Sequence, residues 1–386
     1  MFNNSIKIKK FLIKKNLPSK KNLLKLYYKL VNSDNKILSS MKDNYEDSYK
    51  KKIIKNLKKF NNVNIIGMGG SILGAKAIHN FLSIKKKNFN FIDNFQSLNS
   101  LKLKKNYINL IISKSGNTLE TISNSNILIN KQKNIFLTEN KKSYLTNLAK
   151  KLKAEIVHHN NFIGGRYSVL SEVGMLPAEL MGYKPEKFRK FNQLINNKKF
   201  IESLTQNVSD ILRLTKRNKT NSIILNYDKK SEGLFNWYQQ LVAESLGKQN
   251  KGILPIISSM PEDNHSLMQY YLDGIKNNFF TLFFVKEKNS KKINSKKILY
   301  SHDYLQNKSL NDISFSQFRA TENVFNKKKI PFRSFIIHKR NERTLGELFT
   351  FFILETILLG MAMKINPFNQ PAVELIKKDT IKFLKA

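Results

Sequence analysis

The sequence predicts an α/β protein made of two units with mainly parallel sheets, and two observations support this. Short apolar runs alternate with amphipathic stretches, which is typical of βαβ units and a parallel sheet. This alternation occurs twice along the 386 residues, and a usual single domain has roughly 100 to 200 residues. We therefore expect two α/β units in series, with helices before and after them.

Residues 1–60 open the chain and are predicted to form helices packed on a surface. Apolar side chains recur there at helical intervals among many lysines, as at Leu23, Leu24, Tyr27, Tyr28 and Val31. The first α/β unit is predicted over residues 61–200. Its expected strands are the apolar runs at residues 63–66, 107–112, 134–137 and 155–157.

The second α/β unit is predicted over residues 201–345. Its expected strands are the apolar runs at residues 222–225, 253–257, 279–285 and 333–337. A polar helical segment at residues 198–220 has neither Gly nor Pro and is suited to connect the two units. The remaining residues, 346–386, are predicted to be C-terminal helices.

The most apolar segment, residues 349–363, is predicted to be a buried helix and not a membrane span. It is shorter than the ~20 residues that cross a bilayer, and it carries Glu355 in its middle. Residues 1–15 lack the uninterrupted apolar core that a secretory signal needs. Cysteine is absent, which excludes disulfides, thiolate zinc sites and cysteine nucleophiles. We expect a cytoplasmic protein.

The net charge of +40 comes from 68 Lys and Arg residues against 28 Asp and Glu residues. Such a balance raises nucleic-acid or anionic-membrane binding as a hypothesis. Lys is scattered along the whole chain beside abundant Asn and Ile, however, which indicates a compositional origin. We expect no nucleic-acid or membrane partner, although the excess charge still attracts small anionic ligands.

A glycine turn follows the first predicted strand, in the sequence Ile65-Ile66-Gly67-Met68-Gly69-Gly70-Ser71. Glycines at such a place let backbone N–H groups approach an anion at the start of a helix, where the helix dipole favours negative charge. A tight connection with no ligand explains Gly70 and Ser71 equally well. On these residues alone both interpretations stay open.

A hydroxyl-rich turn follows the second predicted strand and favours phosphate binding. Between Ile112 and Thr121 it places three hydroxyls and one cation, namely Ser113, Ser115, Thr118 and Lys114. Hydroxyl donors together with backbone amides bind a phosphate well. Helix capping by Asn117 with Glu120 is the simpler explanation for those two residues, but it leaves the hydroxyls unexplained.

Together the two turns resemble the sugar-isomerase domain of phosphosugar-binding proteins. Four further segments are informative: Gly164–Gly174 around Arg166, residues 239–248 with Gln240 and Glu244, residues 261–266 with His265, and residues 344–348 and 366–377 with Gln370 and Lys377. These segments resemble the glucose-6-phosphate isomerase family, in its shorter bacterial form. The resemblance covers residue 63 to the C-terminus. It implies two three-layer αβα sandwich domains, with the C-terminal helices completing the active site.

The resemblance also implies the chemistry: interconversion of glucose 6-phosphate and fructose 6-phosphate without metal or cofactor. Glu244 would be the base that moves a proton between C1 and C2, and Arg166 would stabilise the cis-enediolate. His265 and Lys377 would open the sugar ring. The residues expected to bind the substrate are Gly70, Ser71, Ser113, Lys114, Ser115, Thr118, Gln240 and Gln370. Ile376 and Asn369 depart from the family's usual Gly and Asp and leave the placement of Lys377 less certain.

The family resemblance further implies a homodimer with a shared site, in which the histidine comes from the other subunit. Two alternatives stay open: a bifunctional isomerase that also accepts mannose 6-phosphate, and a non-catalytic sugar-phosphate sensor. His158 and His159 are interpreted as ordinary strand-end residues. The other histidines, His79, His302 and His338, form no metal-ligand spacing, so no metal site is expected.

Overall fold

The computed structural model of the protein describes residues 5–11, 20–83, 87–95, 106–129 and 133–386. The strands in these ranges are β1 (Ile6–Lys9), β2 (Asn62–Gly67), β3 (Asn88–Ile92), β4 (Tyr107–Ile112), β5 (Lys133–Glu139), β6 (Glu155–His159), β7 (Asn221–Asn226), β8 (Leu254–Ser259), β9 (Asn278–Val285) and β10 (Phe332–Ile337).

The α-helices in the same ranges are connected by loops and short 3₁₀ turns. They are α1 (Lys20–Val31), α2 (Lys51–Leu57), α3 (Leu73–Leu82), α4 (Leu119–Leu128), α5 (Tyr144–Lys151), α6 (Glu172–Leu180), α7 (Pro185–Phe188), α8 (Phe191–Ile195), α9 (Lys198–Lys216), α10 (Glu232–Leu246), α11 (Met268–Asp273), α12 (Leu310–Lys327), α13 (Glu342–Met363) and α14 (Val373–Lys385).

The strands form two mainly parallel sheets, which confirms the predicted fold class. The first sheet has the order β3-β2-β4-β5-β6 and is parallel throughout. The second has the order β1-β10-β9-β7-β8, and only its β1–β10 pair is antiparallel. β2, β4 and β9 are buried along their whole length, so other elements cover both faces of each sheet. Each of the eight predicted strands is observed within two residues of its expected bounds.

The structure contains two strands that the sequence pattern did not predict. β1 pairs antiparallel with β10, with Ile6 opposite Ile337, so the expectation of helices throughout residues 1–60 is wrong at its start. Residues 1–4 and 12–19 of that segment lie outside the described residues. β3 is an edge strand whose Asn and Phe residues alternate. Both are short edge strands in which apolar and polar residues alternate, as in a strand with one exposed face. The sequence analysis relied on continuous apolar runs and therefore did not detect them.

Helix α13 confirms the predicted buried helix. In the described part of the chain it is the helix long and apolar enough to cross a membrane, but 89% of its most apolar window is buried inside the protein. Glu355 in its middle is paired with the buried guanidinium of Arg333, whose Nη2 lies 3.1 Å from Glu355 Oε1. The buried carboxylate therefore has a buried cation as its partner.

The two sheets share one hydrophobic core, which contains Ile65 of the first sheet and Phe283 of the second. Helix α10 of the second part packs directly on α3 of the first. The approach is close, because a Cβ at Gly233 would lie 3.1 Å from Ala77 Cα. This packing places the C-terminal half of α10 over the glycine turn that follows β2. The division into units at residue 200 remains a prediction.

Candidate active site

The two ligand-binding turns predicted from the sequence lie side by side, at the carboxyl ends of β2 and β4. These strands are neighbours in the first sheet. A Cβ at Gly67 would lie 2.9 Å from the carbonyl oxygen of Ile112 and 3.2 Å from Ser71 Cβ. Ser71 therefore lies close to the end of β4, where Ser113 begins the hydroxyl-rich turn. The carboxyl ends of parallel strands are where α/β proteins place their ligands.

The hydroxyl-rich turn is held by its own side chains. Ser113 Oγ lies 2.8 Å from Thr118 Oγ1 and accepts a hydrogen bond from the Gly116 backbone N–H. Gly116 has a φ of +68°, and a Cβ there would lie 2.1 Å from Ser143 Oγ. Only glycine fits this position. Ser115 is exposed, so its hydroxyl is accessible.

The sequence interpretation of Asn117 as a helix cap is wrong. Thr118 is the N-cap of α4, and its side chain makes no capping hydrogen bond. Asn117 Oδ1 instead accepts a hydrogen bond from the Tyr144 backbone N–H over 2.9 Å, which ties the turn to α5. The N–H groups at the start of α4 are therefore not capped by Asn117.

Lys114 gives this turn a cation that is itself partly buried. Its Nζ lies 3.5 Å from Glu139 Oε1, and Glu139 also pairs with Lys141. Burial lowers the pKa of Lys114, and so do Lys141 and Arg166, against the opposing effect of Glu139.

Gly70 brings the first turn against the segment that carries Arg166. A Cβ at Gly70 would lie 2.2 Å from the carbonyl carbon of Gly165 and 2.6 Å from Arg166 N. No side chain larger than hydrogen fits between the two backbones. Ser168 Oγ donates to Gly165 O over 2.6 Å, which fixes the short 3₁₀ turn Gly165–Leu170.

All five N–H groups of Arg166 are engaged, and the side chain is 2% exposed. The acceptors come from α10 and from the loop before α14: Ser245 Oγ (2.8 Å), Glu244 Oε2 (3.1 Å), Gln370 Oε1 (2.7 Å), Pro367 O (2.8 Å) and Asn369 O (3.2 Å). Arg166 is therefore the residue at which three separate parts of the chain meet.

Glu244 has one carboxylate oxygen on Arg166 and the other on Gln240. Gln240 Nε2 donates to Glu244 Oε1 over 2.9 Å, one helical turn away on α10. A Cβ at Gly69 would lie 2.6 Å from Gln240 Nε2, so Gln240 reaches the first glycine turn. Gln240 Oε1 is buried and has no hydrogen-bond partner among the described residues.

A cavity of about 710 Å³ opens beside these residues. Glu244, Lys248, Asn369 and Gln370 are among its lining residues, and Lys248 Nζ donates to Asn369 Oδ1 over 3.1 Å. The sequence analysis did not single out Lys248 or Ser245. Ser245 directly follows Glu244, and Lys248 lies four residues after it. This spacing was the sequence feature that could have indicated both residues.

Two of the predicted site residues are not brought to this cluster within one chain. His265 is exposed at the end of a 3₁₀ turn after β8. Lys377 on α14 is 64% exposed and pairs with Glu374 over 2.6 Å. Among the described residues, no hydrogen bond or ion pair joins either one to Glu244 or Arg166. Gly70, Arg166, Gln240, Glu244 and Gln370 do converge.

Two mainly parallel sheets with a polar cluster between them are the architecture that the sugar-isomerase resemblance of the two turns implies. The phosphoglucose isomerase family model matches residues 18–385. The chain belongs to the phosphoglucose isomerase family, which confirms the family resemblance of its motifs and its assignment as an isomerase.

Individual relatives agree with this assignment. The glucose-6-phosphate isomerase of Methanocaldococcus jannaschii is 34% identical over 354 residues, covering 86% of each chain. That of Mycoplasmopsis pulmonis is 35% identical over 355 residues, covering 83% of this chain and 82% of the relative. A hypothetical protein from Thermus thermophilus has a crystal structure that superposes with a TM-score of 0.82 at 21% identity, covering 95% of each chain. This last likeness shows the fold alone.

Proposed function

We propose that this protein interconverts D-glucose 6-phosphate and D-fructose 6-phosphate in glycolysis and gluconeogenesis. The reaction would proceed by ring opening and by base-catalysed proton transfer through a cis-enediolate. Membership of the phosphoglucose isomerase family supports the reaction. The observation that carries the mechanism is the position of Glu244, with one oxygen on Gln240 and the other on Arg166.

The phosphate group of the substrate binds at the hydroxyl-rich turn. Ser113, Ser115 and Thr118 supply hydroxyl donors, and Ser71 lies beside them on the neighbouring turn. Lys114 supplies a positive charge for the phosphate, and its ion pair with Glu139 holds the Lys114 side chain in place. Binding energy from this remote group orients the reacting carbons.

The proton moves between C1 and C2 through Glu244. A general base must come within hydrogen-bond reach of the proton it removes, and Glu244 is 30% exposed toward the solvent-accessible side of the cluster. Substrate oxygens replace the Glu244 and Gln370 contacts of Arg166, whereas Ser245 and two backbone carbonyls keep the guanidinium in place. A fixed cation beside the developing enediolate charge lowers the barrier without reorganisation.

Ring opening requires His265 and Lys377, which lie away from the cluster in one chain. We propose that the protein is a homodimer in which His265 of a second copy completes the site. Helix α14, which carries Lys377, has no buried residue and exposes large apolar side chains: Leu375, Ile376, Phe383 and Leu384. An apolar face of this kind indicates an interface, and docking a second copy there would also reposition Lys377.

The proposed reaction needs no metal or cofactor, because acid/base side chains carry each step. We also propose a cytoplasmic location, which the lack of cysteine supports. The test is to mix purified protein with fructose 6-phosphate in EDTA and to compare it with Glu244→Gln. Turnover should survive chelation and fall about 10²- to 10⁴-fold in the variant.

A matched control is Glu232→Gln, an exposed residue at the start of the same helix. It should behave as the unaltered protein. Retained turnover in Glu244→Gln would remove Glu244 as the base, and complete loss of turnover in EDTA would contradict metal independence. The same assay with mannose 6-phosphate decides between the single and the bifunctional isomerase.

A further inference from the structure

Strand β6 ends in two neighbouring histidines that lie in opposite environments. His158 is exposed, whereas the side chain of His159 is 1% exposed. Their interpretation as ordinary strand-end residues therefore misses the surroundings of His159. The residue facing it, Glu172, is the first residue of α6 and is fully buried.

Both ring nitrogens of His159 face acceptors. Nδ1 lies 2.8 Å from Glu172 Oε1, and Nε2 lies 3.0 Å from the carbonyl oxygen of Ile163. Glu172 Oε1 also accepts a hydrogen bond from the Asn160 backbone N–H over 2.9 Å. An ionised carboxylate and a backbone carbonyl can only accept, so this geometry suits a ring that carries a proton on both nitrogens.

The other oxygen of Glu172 is equally well satisfied. Tyr45 donates to Glu172 Oε2 over 2.7 Å. Burial acts to raise the pKa of Glu172, but hydrogen bonds from His159, Asn160 and Tyr45 outweigh it and hold this pKa below its usual value. Burial and the Glu172 charge raise the pKa of Tyr45 far above its usual value, so its hydroxyl stays a donor.

Other charged and titratable groups surround the pair. Burial, and to a lesser extent the charges of Glu172 and Glu179, raise the pKa of Asp47 against the effect of Arg189. Asp47 pairs with Arg189 over 2.7 Å, and Tyr49 donates to Glu179 over 3.0 Å. The guanidinium of Arg189 also lies 4.9 Å from the ring centroid of Tyr45. Within the described residues, Glu172 is the carboxylate that contacts the His159 ring.

The pair brackets the segment that presents Arg166. His159 precedes this segment, Glu172 follows it, and Ile163 lies within it. The His159 ring thus links the start, the interior and the end of a loop that has Arg166 near its middle. The far side of the same loop is held against Gly70. A buried pair of this kind is costly unless further hydrogen bonds satisfy both partners, as Asn160, Tyr45 and Ile163 do here.

We propose that His159 carries a proton on both ring nitrogens, that the His159–Glu172 pair positions Arg166, and that loss of one of these protons slows isomerisation. When His159 loses a proton, one of its ring nitrogens can no longer donate to Glu172 Oε1 or to Ile163 O. The loop then loses one of these two buried hydrogen bonds. The effect falls on kcat more than on KM, because the phosphate is bound by a different turn. This inference rests on the proposed isomerase function.

The test compares kcat against pH for the unaltered protein, Glu172→Gln and a matched control. Glu172→Gln keeps the size of the side chain but removes the charge that favours the imidazolium. In Glu172→Gln the alkaline limb of the kcat–pH profile, where kcat falls as pH rises, should move toward neutral pH by about one unit or more. His158→Gln, which changes the exposed neighbour, should leave the limb unmoved. An unshifted limb in folded Glu172→Gln would overturn the proposal.

A second measurement needs no variant at the pair itself. In ¹⁵N-histidine NMR spectra of the unaltered protein, assigned by substituting the other histidines one at a time, His159 should be doubly protonated at neutral pH. Its deprotonation should coincide with the alkaline limb of kcat. A neutral His159 ring at pH 7, or a titration that differs from the kinetic limb by more than about one unit, would also overturn the proposal.

Failure of this proposal can be distinguished from failure of the proposed function. If the proposed reaction is wrong, the unaltered chain shows no turnover of fructose 6-phosphate at any pH. If the reaction is right but the pair does not position Arg166, turnover is present and the alkaline limb is the same in Glu172→Gln. Glu244→Gln should lower turnover about 10²- to 10⁴-fold at all pH values and leave the His159 NMR signals unchanged.

Discussion

Arg166 donates a hydrogen bond from Nη1 to Glu244 Oε2 over 3.1 Å, across 78 residues of chain. This contact joins the loop between β6 and α6 to helix α10, which packs beside the second sheet. It also places a buried cation and the proposed base in direct contact before any substrate is present. A substrate that takes over the Arg166 donors would therefore free Glu244 for proton transfer.

Replacement of Arg166 by Lys should lower kcat about 10²- to 10³-fold, because a lysine keeps the charge but loses the planar fork of donors. The measurement is steady-state turnover of fructose 6-phosphate. Arg217→Lys, at an exposed helix end, is the control and should be neutral. A kcat near the unaltered value in Arg166→Lys would show that charge alone suffices.

Gly70→Ala should reduce both stability and kcat. The added methyl meets the carbonyl carbon of Gly165 at 2.2 Å, so the Arg166 segment has to shift. We expect a loss of about 1 to 3 kcal/mol in the free energy of unfolding, as for other overpacked sites. Gly164→Ala is the matched control, since its Cβ meets nothing closer than 3.4 Å. Equal urea unfolding curves for the two variants would contradict the close approach at Gly70.

Asp47 should make stability depend on pH. Burial raises its pKa from 3.8 to about 6, against the effect of Arg189. The folded state therefore binds this proton more tightly than the unfolded chain, and the associated stability is present at low pH and lost as pH rises through about 6. Compared with Asp47→Asn, the unaltered protein should lose about 2 to 3 kcal/mol of unfolding free energy between pH 4 and pH 7.

The control for this pH experiment is Asp34→Asn, because Asp34 is exposed. The stability difference between Asp34→Asn and the unaltered protein should not change over the same pH range. Denaturant unfolding at each pH gives the values. A stability difference for Asp47→Asn that is also constant with pH would contradict the assigned shift.

Phe383→Ser should weaken self-association if α14 lies at a dimer interface. Phe383 is 79% exposed in one chain, and loss of a central aromatic residue from an interface costs about 2 kcal/mol or more. Sedimentation should show a dimer for the unaltered protein and dissociation at higher concentration for the variant, with activity lost in parallel. Lys382→Ser on the same helix is the control. A fully active monomer would contradict a shared site.

Several parts of the fold followed from local patterns. Buried parallel strands such as β4 are continuous runs of apolar residues, and the buried helix α13 is apolar on all sides. Such patterns depend on neighbours within a few positions, so they are readable from sequence. The short strand β1 was missed, because its four residues become a strand only by pairing with β10, more than 300 residues later.

By itself the sequence determined the α/β class, the strand positions and the residue types of the site, including Glu244, Arg166 and the hydroxyls after β4. Only the tertiary structure decided that Arg166 would meet acceptors as far away as Gln370, and that His159 would be buried against Glu172. The physical reason is that a side chain's chemistry is intrinsic to the residue. Its partners are set by how distant elements pack, as α10 does on α3.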